Sequence, residues 1–189
     1  QAGEIGLQLL PSDRITSKDR WLARASHTFR LSSQNSLGLS AIRVSDNNYF
    51  ADFGASVLAA SQRILPATVQ INGNFQGWQY LTMFQKYQVL QDPGAPILPP
   101  YEWSPRIRFS NNRILKINKL DIDASGIFEM THFTHPSMAE GTRIVGDANF
   151  SSPLLIGGVR LMPQFGMHLT SYSHSKNGSQ YLTQNRFGI

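Results

Sequence analysis

The sequence predicts an all-β, antiparallel fold of about ten long strands. Three observations predict it. Apolar and polar residues alternate with period 2 through most of the 189 residues, the spacing that sends successive side chains to opposite faces of a strand. Clusters of Gly, Pro, Asn, Asp and Ser punctuate the alternating runs, as turns do. Charged residues make up only 15% of the chain, against about a quarter in an ordinary soluble domain. Ser, Asn, Gln, Gly and Thr take their place.

The runs follow in order. "QAGEIGLQLL" reads as a strand from its first residues, with neither the basic start nor the apolar core of a signal peptide. "RWLARASHTFRL" sets Trp21, Ala23, Ala25, His27, Phe29 and Leu31 against Arg20, Leu22, Arg24, Ser26, Thr28 and Arg30. "GASVLAASQRILPA" carries the weakest pattern, and its neighbours assign it to a strand rather than a short helix. "PATVQINGNF" places Ala67, Val69, Ile71 and Phe75 opposite Thr68, Gln70, Asn72 and Asn74. "LDIDASGIFEM" opposes Leu120, Ile122, Ala124, Gly126, Phe128 and Met130 to Asp121, Asp123, Ser125, Ile127 and Glu129.

"VRLMPQFGMHLTSY" reads as one strand, with Val159, Leu161, Pro163, Phe165, Met167 and Leu169 on one face. Arg160, Met162, Gln164, Gly166, His168 and Thr170 lie on the other. Asn177-Gly178 is a two-residue hairpin signal. "SQYLTQNRFGI" ends within a strand, so both ends read as cut from a longer chain.

One connector stands out. Five of the ten prolines fall between Pro93 and Pro105. Proline fixes φ and removes a donor, so residues 92 to 103 are expected to form an irregular, ordered segment. Asp92 would start its turn, and Tyr101 and Trp103 would anchor it.

Composition and motifs exclude several function classes. The net charge is +5 and the pI about 9.7, but the 17 Lys and Arg residues are dispersed. Nucleic-acid binding needs a basic patch, so no nucleic-acid partner is expected. The absence of cysteine removes disulfides, thiolate metal sites and a Cys nucleophile. No phosphate-binding glycine loop, nucleophile elbow or metal-ligand spacing occurs. His132 and His135 fall on opposite faces of a strand, so no metal site is assigned. Asp121 and Asp123 share a face, where calcium binding or paired acid work is conceivable and a hydrated wall is the plainer reading. No catalytic residue and no cofactor is expected.

Alternation alone leaves two architectures open: a soluble sandwich or barrel, apolar inside, and a transmembrane barrel, apolar outside. Three features favour the membrane. The runs approach the roughly 9–11 residues of a tilted membrane strand. Their apolar faces mix Ala, Gly and Met with aromatics, and Trp21, Trp78, Tyr80 and Trp103 stand near strand ends as girdle aromatics do.

Three stretches then occur in a telling order: "RVSDNNYFADFG", "YQVLQDPGAPILPPYEWSPRIRF" and "FTHPSMAEGTRIV". Together they resemble the barrel of the LptD family, the lipopolysaccharide-assembly proteins of the outer membrane. Ser45, Asp46, Tyr49, Phe50, Asp52 and Phe53 match that family's Ser-Asp-x-x-Tyr-Phe-x-Asp-Phe stretch. Gln91, Asp92, Pro93, Pro99, Pro100 and Tyr101 match its Gln-Asp-Pro and Pro-Pro-Tyr series. Ser104-Pro105-Arg106-Ile107 is a looser fit to its Leu-Pro-Gln-Leu, and His135-Pro136 and Gly141-Thr142-Arg143 match the next segment.

The resemblance implies a partial transmembrane barrel spanning residues 1–189. The leader, the N-terminal jelly-roll domain and the remaining strands would lie outside this chain. It implies a part in inserting lipopolysaccharide into the outer leaflet of a Gram-negative outer membrane. The implied partners are lipopolysaccharide, a plug lipoprotein in the lumen, and a periplasmic bridge protein reached through the missing domain. Lumen-facing candidates are Arg20, Arg24, Arg30, Gln70, Asp121, Asp123, Glu129, Gln164 and His168, with arginine suited to phosphate. Trp21, Ala23, Phe29, Val159, Leu161, Phe165 and Leu169 would face lipid. The family's seam lies between its first and last strands, so no gate residue is assigned. A fragment of a large barrel should form an open sheet. A general outer-membrane channel and a soluble β-sandwich binding module remain the alternatives.

Overall fold

The computed structural model describes residues 2–54, 56, 61–118, 120–176 and 180–188. Its strands are β1 (Ala2–Leu10), β2 (Arg20–Arg30), β3 (Asn35–Val44), β4 (Ile64–Phe75), β5 (Trp78–Val89) and β6 (Glu102–Ile117). They continue with β7 (Leu120–Thr134), β8 (Gly141–Ser151), β9 (Leu154–Ile156), β10 (Val159–Leu161), β11 (Gln164–Lys176) and β12 (Gln180–Gly188). One short helix, α1 (Tyr49–Phe53), lies between β3 and β4. Ten strands form one sheet in the order β1-β2-β3-β4-β5-β6-β7-β8-β11-β12, with β1 and β12 at its two ends. The strand order therefore agrees with an open antiparallel sheet.

The chain divides into two compact units, Gln1–Ile71 with Met83–Glu102, and Asn72–Thr82 with Trp103–Ile189. In the first, β1, β2 and β3 pair so that Leu22 stands between Gln8 and Val44, Arg24 between Gly6 and Ile42, and Ser26 between Glu4 and Ser40. Directly paired residues share a face. Trp21 with Leu9, Ala23 with Leu7 and Ala25 with Ile5 and Ala41 therefore lie on the opposite, mainly apolar face, which also carries His27 and, opposite Ala23, Arg43.

The second unit repeats the arrangement. Asp123, Ser151 and Gln164 line up across β7, β8 and β11, as do Ser125, Asn149 and Gly166, and Ile127, Asp147 and His168. The alternate rows are Ala124, Phe150 and Phe165, then Gly126, Ala148 and Met167, then Phe128, Gly146 and Leu169. One face is thus polar and the other almost wholly apolar.

The core is small. Leu22, Val44, Tyr49, Phe50, Leu65 and Leu90 form it, all in the first unit. Leu22 shares a face with Arg20 and Arg24, so this cluster sits on the polar side, where α1 covers it.

Two sequence expectations need correction. Val159 and Leu161 belong to β10, which pairs with β9 in a separate two-stranded sheet, not to the strand that carries Phe165 and Leu169. Pro163 supplies no donor, and the ladder restarts at Gln164. The stretch 54–67 is not a strand throughout: Gly54 and Ser56 lie outside any strand and β4 begins at Ile64. The Ser-Asp-x-x-Tyr-Phe stretch, to which the alternation assigns no element, contains α1. The Asn177-Gly178 hairpin lies outside the described residues.

The proline connector is irregular between Val89 and Glu102, as its composition predicts, while Pro105 falls inside β6.

Candidate functional site

The polar face is braced by two arginine-centred clusters, one in each unit. In the first, Arg20 opens β2 and is only 4% exposed. Its guanidinium meets Asp46 in a paired contact, Nε to Oδ2 and Nη2 to Oδ1, both 2.9 Å. Nη1 donates to Asp52 at 2.7 Å and to Asp13 at 3.4 Å. Its carbon lies 4.5 Å from the Phe53 ring centre and 5.8 Å from that of Tyr49. Five fixed donors in a plane let one arginine tie three carboxylates together.

Local sequence presets those carboxylates. Asp13 closes the β1–β2 turn, accepting from the Ile15 N–H and the Thr16 hydroxyl. Asp46 accepts from the Asn48 N–H and the Ser45 hydroxyl. These are the self-capping bonds that favour Asp in turns. The Ile15 N–H, aided by the Thr16 hydroxyl and Arg20 against the opposing push of burial, holds the Asp13 carboxyl below the usual carboxylate range. Burial pushes Asp46 up but is outweighed by the Ser45 hydroxyl and Arg20, so Asp46 is also lowered. Burial raises Tyr49, whose hydroxyl donates to Gln8 Oε1 at 3.1 Å. The bonds fasten the segment from Ser45 to Phe53 onto β1 and β2, and Tyr49 and Phe50 complete the core beneath it.

In the second unit Glu129 on β7 is bridged by two arginines. Arg106 Nη2 donates to Oε2 at 2.7 Å and Arg143 Nη2 to Oε1 at 2.9 Å, and the Thr131 hydroxyl adds a bond at 3.3 Å. Arg106 packs 4.9 Å from the Trp103 ring and Arg143 5.4 Å from Phe133. One row along the face, His168 pairs with Asp147, and the Thr170 hydroxyl meets His168 Nε2 at 2.7 Å.

Two glutamines hold irregular backbone. The Gln88 amide takes both the N–H and C=O of Val44. The Gln91 amide does the same for Ile97 across the connector. An amide carries one donor side and one acceptor side, so only Gln or Asn can complete both bonds at once. Asp92 Oδ1 accepts from the Gly94 N–H, starting the turn. Pro99, Pro100 and Tyr101 are half-buried, while Pro93 is exposed.

The sequence-predicted residues are distributed as follows. Arg24 shares the polar face with Arg20, and its stem lies so close over Gly6 that a Cβ there would come within 2.9 Å. Gln70 likewise crosses Gly38, at 3.1 Å from an added Cβ. Arg30 ends the same row opposite Ser36. Asp121 and Asp123 are exposed near the start of β7, and Gln164 pairs with Ser151. Arg20 is not open wall: it is enclosed by its three partners. His135 accepts from the Ser137 and Met138 N–H groups, shaping the turn that follows β7 beside Pro136. His132 bonds Thr142 across the strands.

Sequence reasoning missed the joint role of Arg106, Glu129 and Arg143, and the part of Asp13. The signal for Asp13 is its spacing to Thr16. No signal in one strand reveals the other cluster, because its members meet only through strand pairing.

Among the described residues no group of three or more His, Asp or Glu could hold a metal ion. The arrangement offers a hydrated, hydrogen-bonding surface.

Comparison with known proteins bears on this surface. Residues 18–186 match the family described as LptD, LPS transport system D. The LPS-assembly protein LptD of Nitrosomonas eutropha is 32% identical over 176 residues, 90% of this chain and 24% of that protein. The protein of the same name in Chromobacterium violaceum is 32% identical over 177 residues, 91% of this chain and 22% of its own length. The one in Bordetella parapertussis is 31% identical over 170 residues. The chain spans about a quarter or less of the curated relatives it matches.

Proposed function

The chain belongs to the LptD family, and from that premise we propose that it is part of an outer-membrane β-barrel that inserts lipopolysaccharide into the outer leaflet. The observation that carries this reading is the division of faces across β7, β8 and β11. Phe128, Phe165, Met167 and Leu169 are 44%, 51%, 48% and 38% exposed on one side. In water such a continuous apolar surface invites association. Against hydrocarbon it is the solvated state, and a closed ladder satisfies every backbone group there. The other face, with Arg24, Gln70, Glu129, Gln164 and His168, then lines the lumen.

The work is transport rather than catalysis. Lipopolysaccharide has a hydrated, phosphorylated glycan and apolar acyl chains. A polar lumen suits the first, and the surrounding bilayer suits the second. In this reading the chain sits in a Gram-negative outer membrane and forms part of the barrel domain. A jelly-roll domain and further strands of the longer protein would reach the periplasmic bridge protein, and a plug lipoprotein would occupy the lumen. The segment from Ser45 to Phe53 and the proline connector are then braced features of the lumenal side, available as a seat for that plug. A general channel would share the same faces; family membership favours the transporter. A soluble sandwich would hide its apolar face.

The test is controlled depletion of the full-length protein in its own cells. Arrival of newly made lipopolysaccharide at the surface should fall, and entry of large antibiotics should rise. Unchanged delivery after depletion would overturn the reading.

A further inference from the structure

The polar face of the second unit is not uniform. Its ionic groups gather where Glu129 meets Arg106 and Arg143. Beyond His168 and Asp147 the face changes character. There a cleft of about 590 Å³ is lined by Asn112, Asp123, Ser125, Asn149, Ser151 and Gln164. A second cleft adjoins it, sharing Asn112, Ser125 and Asn149 and extending over Ser110 and Gln79.

Of the named lining side chains only Asp123 is charged. The amides of Asn112, Asn149 and Gln164 make no hydrogen bond to the described residues, and all three are exposed. The strand register fixes them as a grid, with Asp123, Ser151 and Gln164 in one row and Ser125 and Asn149 in the next. Neighbouring strands stand about 4.8 Å apart. Gly166 completes the second row, and a Cβ there would come within 2.7 Å of Asn149 Oδ1. The absent side chain leaves room for the Asn149 amide to lie across the strand.

An unpaired array of neutral donors and acceptors matches a ligand that carries many neutral donors and acceptors itself. Phosphate would demand arginine or a nest of N–H groups, and an apolar ligand would leave the amides unpaired. We propose that this amide–hydroxyl cleft binds uncharged, polyhydroxylated sugar. The proposal rests on the transport reading, and within it assigns the neutral hexose portion of the lipopolysaccharide glycan to this part of the wall. The phosphorylated portion has no cationic partner here.

The test uses detergent-solubilised full-length protein, with a neutral dextran oligosaccharide and inorganic phosphate as separate probes, read by ligand-observed NMR. Dextran should bind and phosphate should not compete with it. The triple variant Asn112→Ala, Asn149→Ala, Gln164→Ala should weaken dextran binding by about tenfold or more, since each lost hydrogen bond is worth on the order of 1 kcal/mol. These positions are exposed, and retained heat-modifiable migration reports an intact barrel. The variant Gly166→Ala displaces one amide only and should weaken binding less. Dextran binding unchanged in both variants, or absent in the parent, overturns the site and leaves the transport reading standing. Loss of the transport reading in a depletion experiment does not alter the dextran result, which requires no transport.

Discussion

Arg20 and Asp46 lie 26 residues apart and meet through two parallel hydrogen bonds, each 2.9 Å. The pair joins the first residue of β2 to the turn that launches α1. Asp46 belongs to the family-matching stretch, so that stretch acts as a strut: it pins a helix over Leu22, Val44 and Leu65 on an otherwise polar face.

Arg20→Lys keeps the charge and loses the planar fork. A single ammonium cannot hold Asp46 in a paired contact while also reaching Asp52 and Asp13. The substitution is expected to destabilise the barrel by about 1–2 kcal/mol, and Arg20→Ala by more. The urea midpoint of the full-length protein in micelles checks this, with proteolysis between residues 45 and 54 rising in the same order.

Acid should loosen the same segment. Asp13 and Asp46 are both lowered in the folded protein. Such groups contribute stability that is fully present above the unfolded carboxylate value of about 4 and is lost as pH falls through the lower folded value. Hydrogen exchange of residues 45–54 should be flat from pH 8 to pH 5 after correction for intrinsic rates. Protection should fall below about pH 4. A loss near neutral pH would contradict the carboxylate origin.

Glu129→Ala removes the carboxylate between two arginines that are themselves partly buried. Leaving two like charges unpaired should cost about 3 kcal/mol. Replacing Arg143 by Met in the same protein should recover part of that loss. A double-mutant cycle measures the coupling, and additive effects would deny that the three form one unit.

Gln91→Glu loses the donor to the Ile97 carbonyl while keeping size and shape. The connector should open at a cost of about 1–3 kcal/mol, seen as new cleavage between residues 92 and 101. Replacing Pro99 and Pro100 by Gly should add to this by enlarging the freedom of the unfolded chain. If plug binding, barrel assembly and antibiotic exclusion all survive both changes, the connector is a link and nothing more.

Much of the sheet was legible because alternation is a local signal. The faces of β2, β7 and β11 follow directly from their own residues. Failures came where the pattern outlasted the strand. Val159 and Leu161 alternate in phase with Phe165, yet Met162-Pro163 separates two ladders. Residues 54–67 took a strand assignment from their neighbours alone, and α1 is too short to show a helical period. The bracing clusters were legible only in part. The family-matching residues Asp46, Tyr49, Asp52 and Phe53 were recognised, but their convergence on Arg20 depends on pairing between β2 and β3 and on the fold of a loop. Arg20, Glu129 and His168 were assigned to the polar face from alternation alone; that Arg20 is enclosed depends on partners distant in sequence.

The central claim is that one face of this sheet meets lipid and the other water. Nitroxide labels placed singly at positions 148, 149, 150 and 151 of β8, in the full-length protein reconstituted into bilayers, test it directly. Labels at 148 and 150, which replace Ala148 and Phe150 on the apolar face, should be relaxed by oxygen dissolved in the hydrocarbon. Labels at 149 and 151, which replace Asn149 and Ser151, should be relaxed by a water-soluble nickel chelate. Loss of that alternation, or its inversion, would contradict a transmembrane barrel with this polar face turned to the lumen.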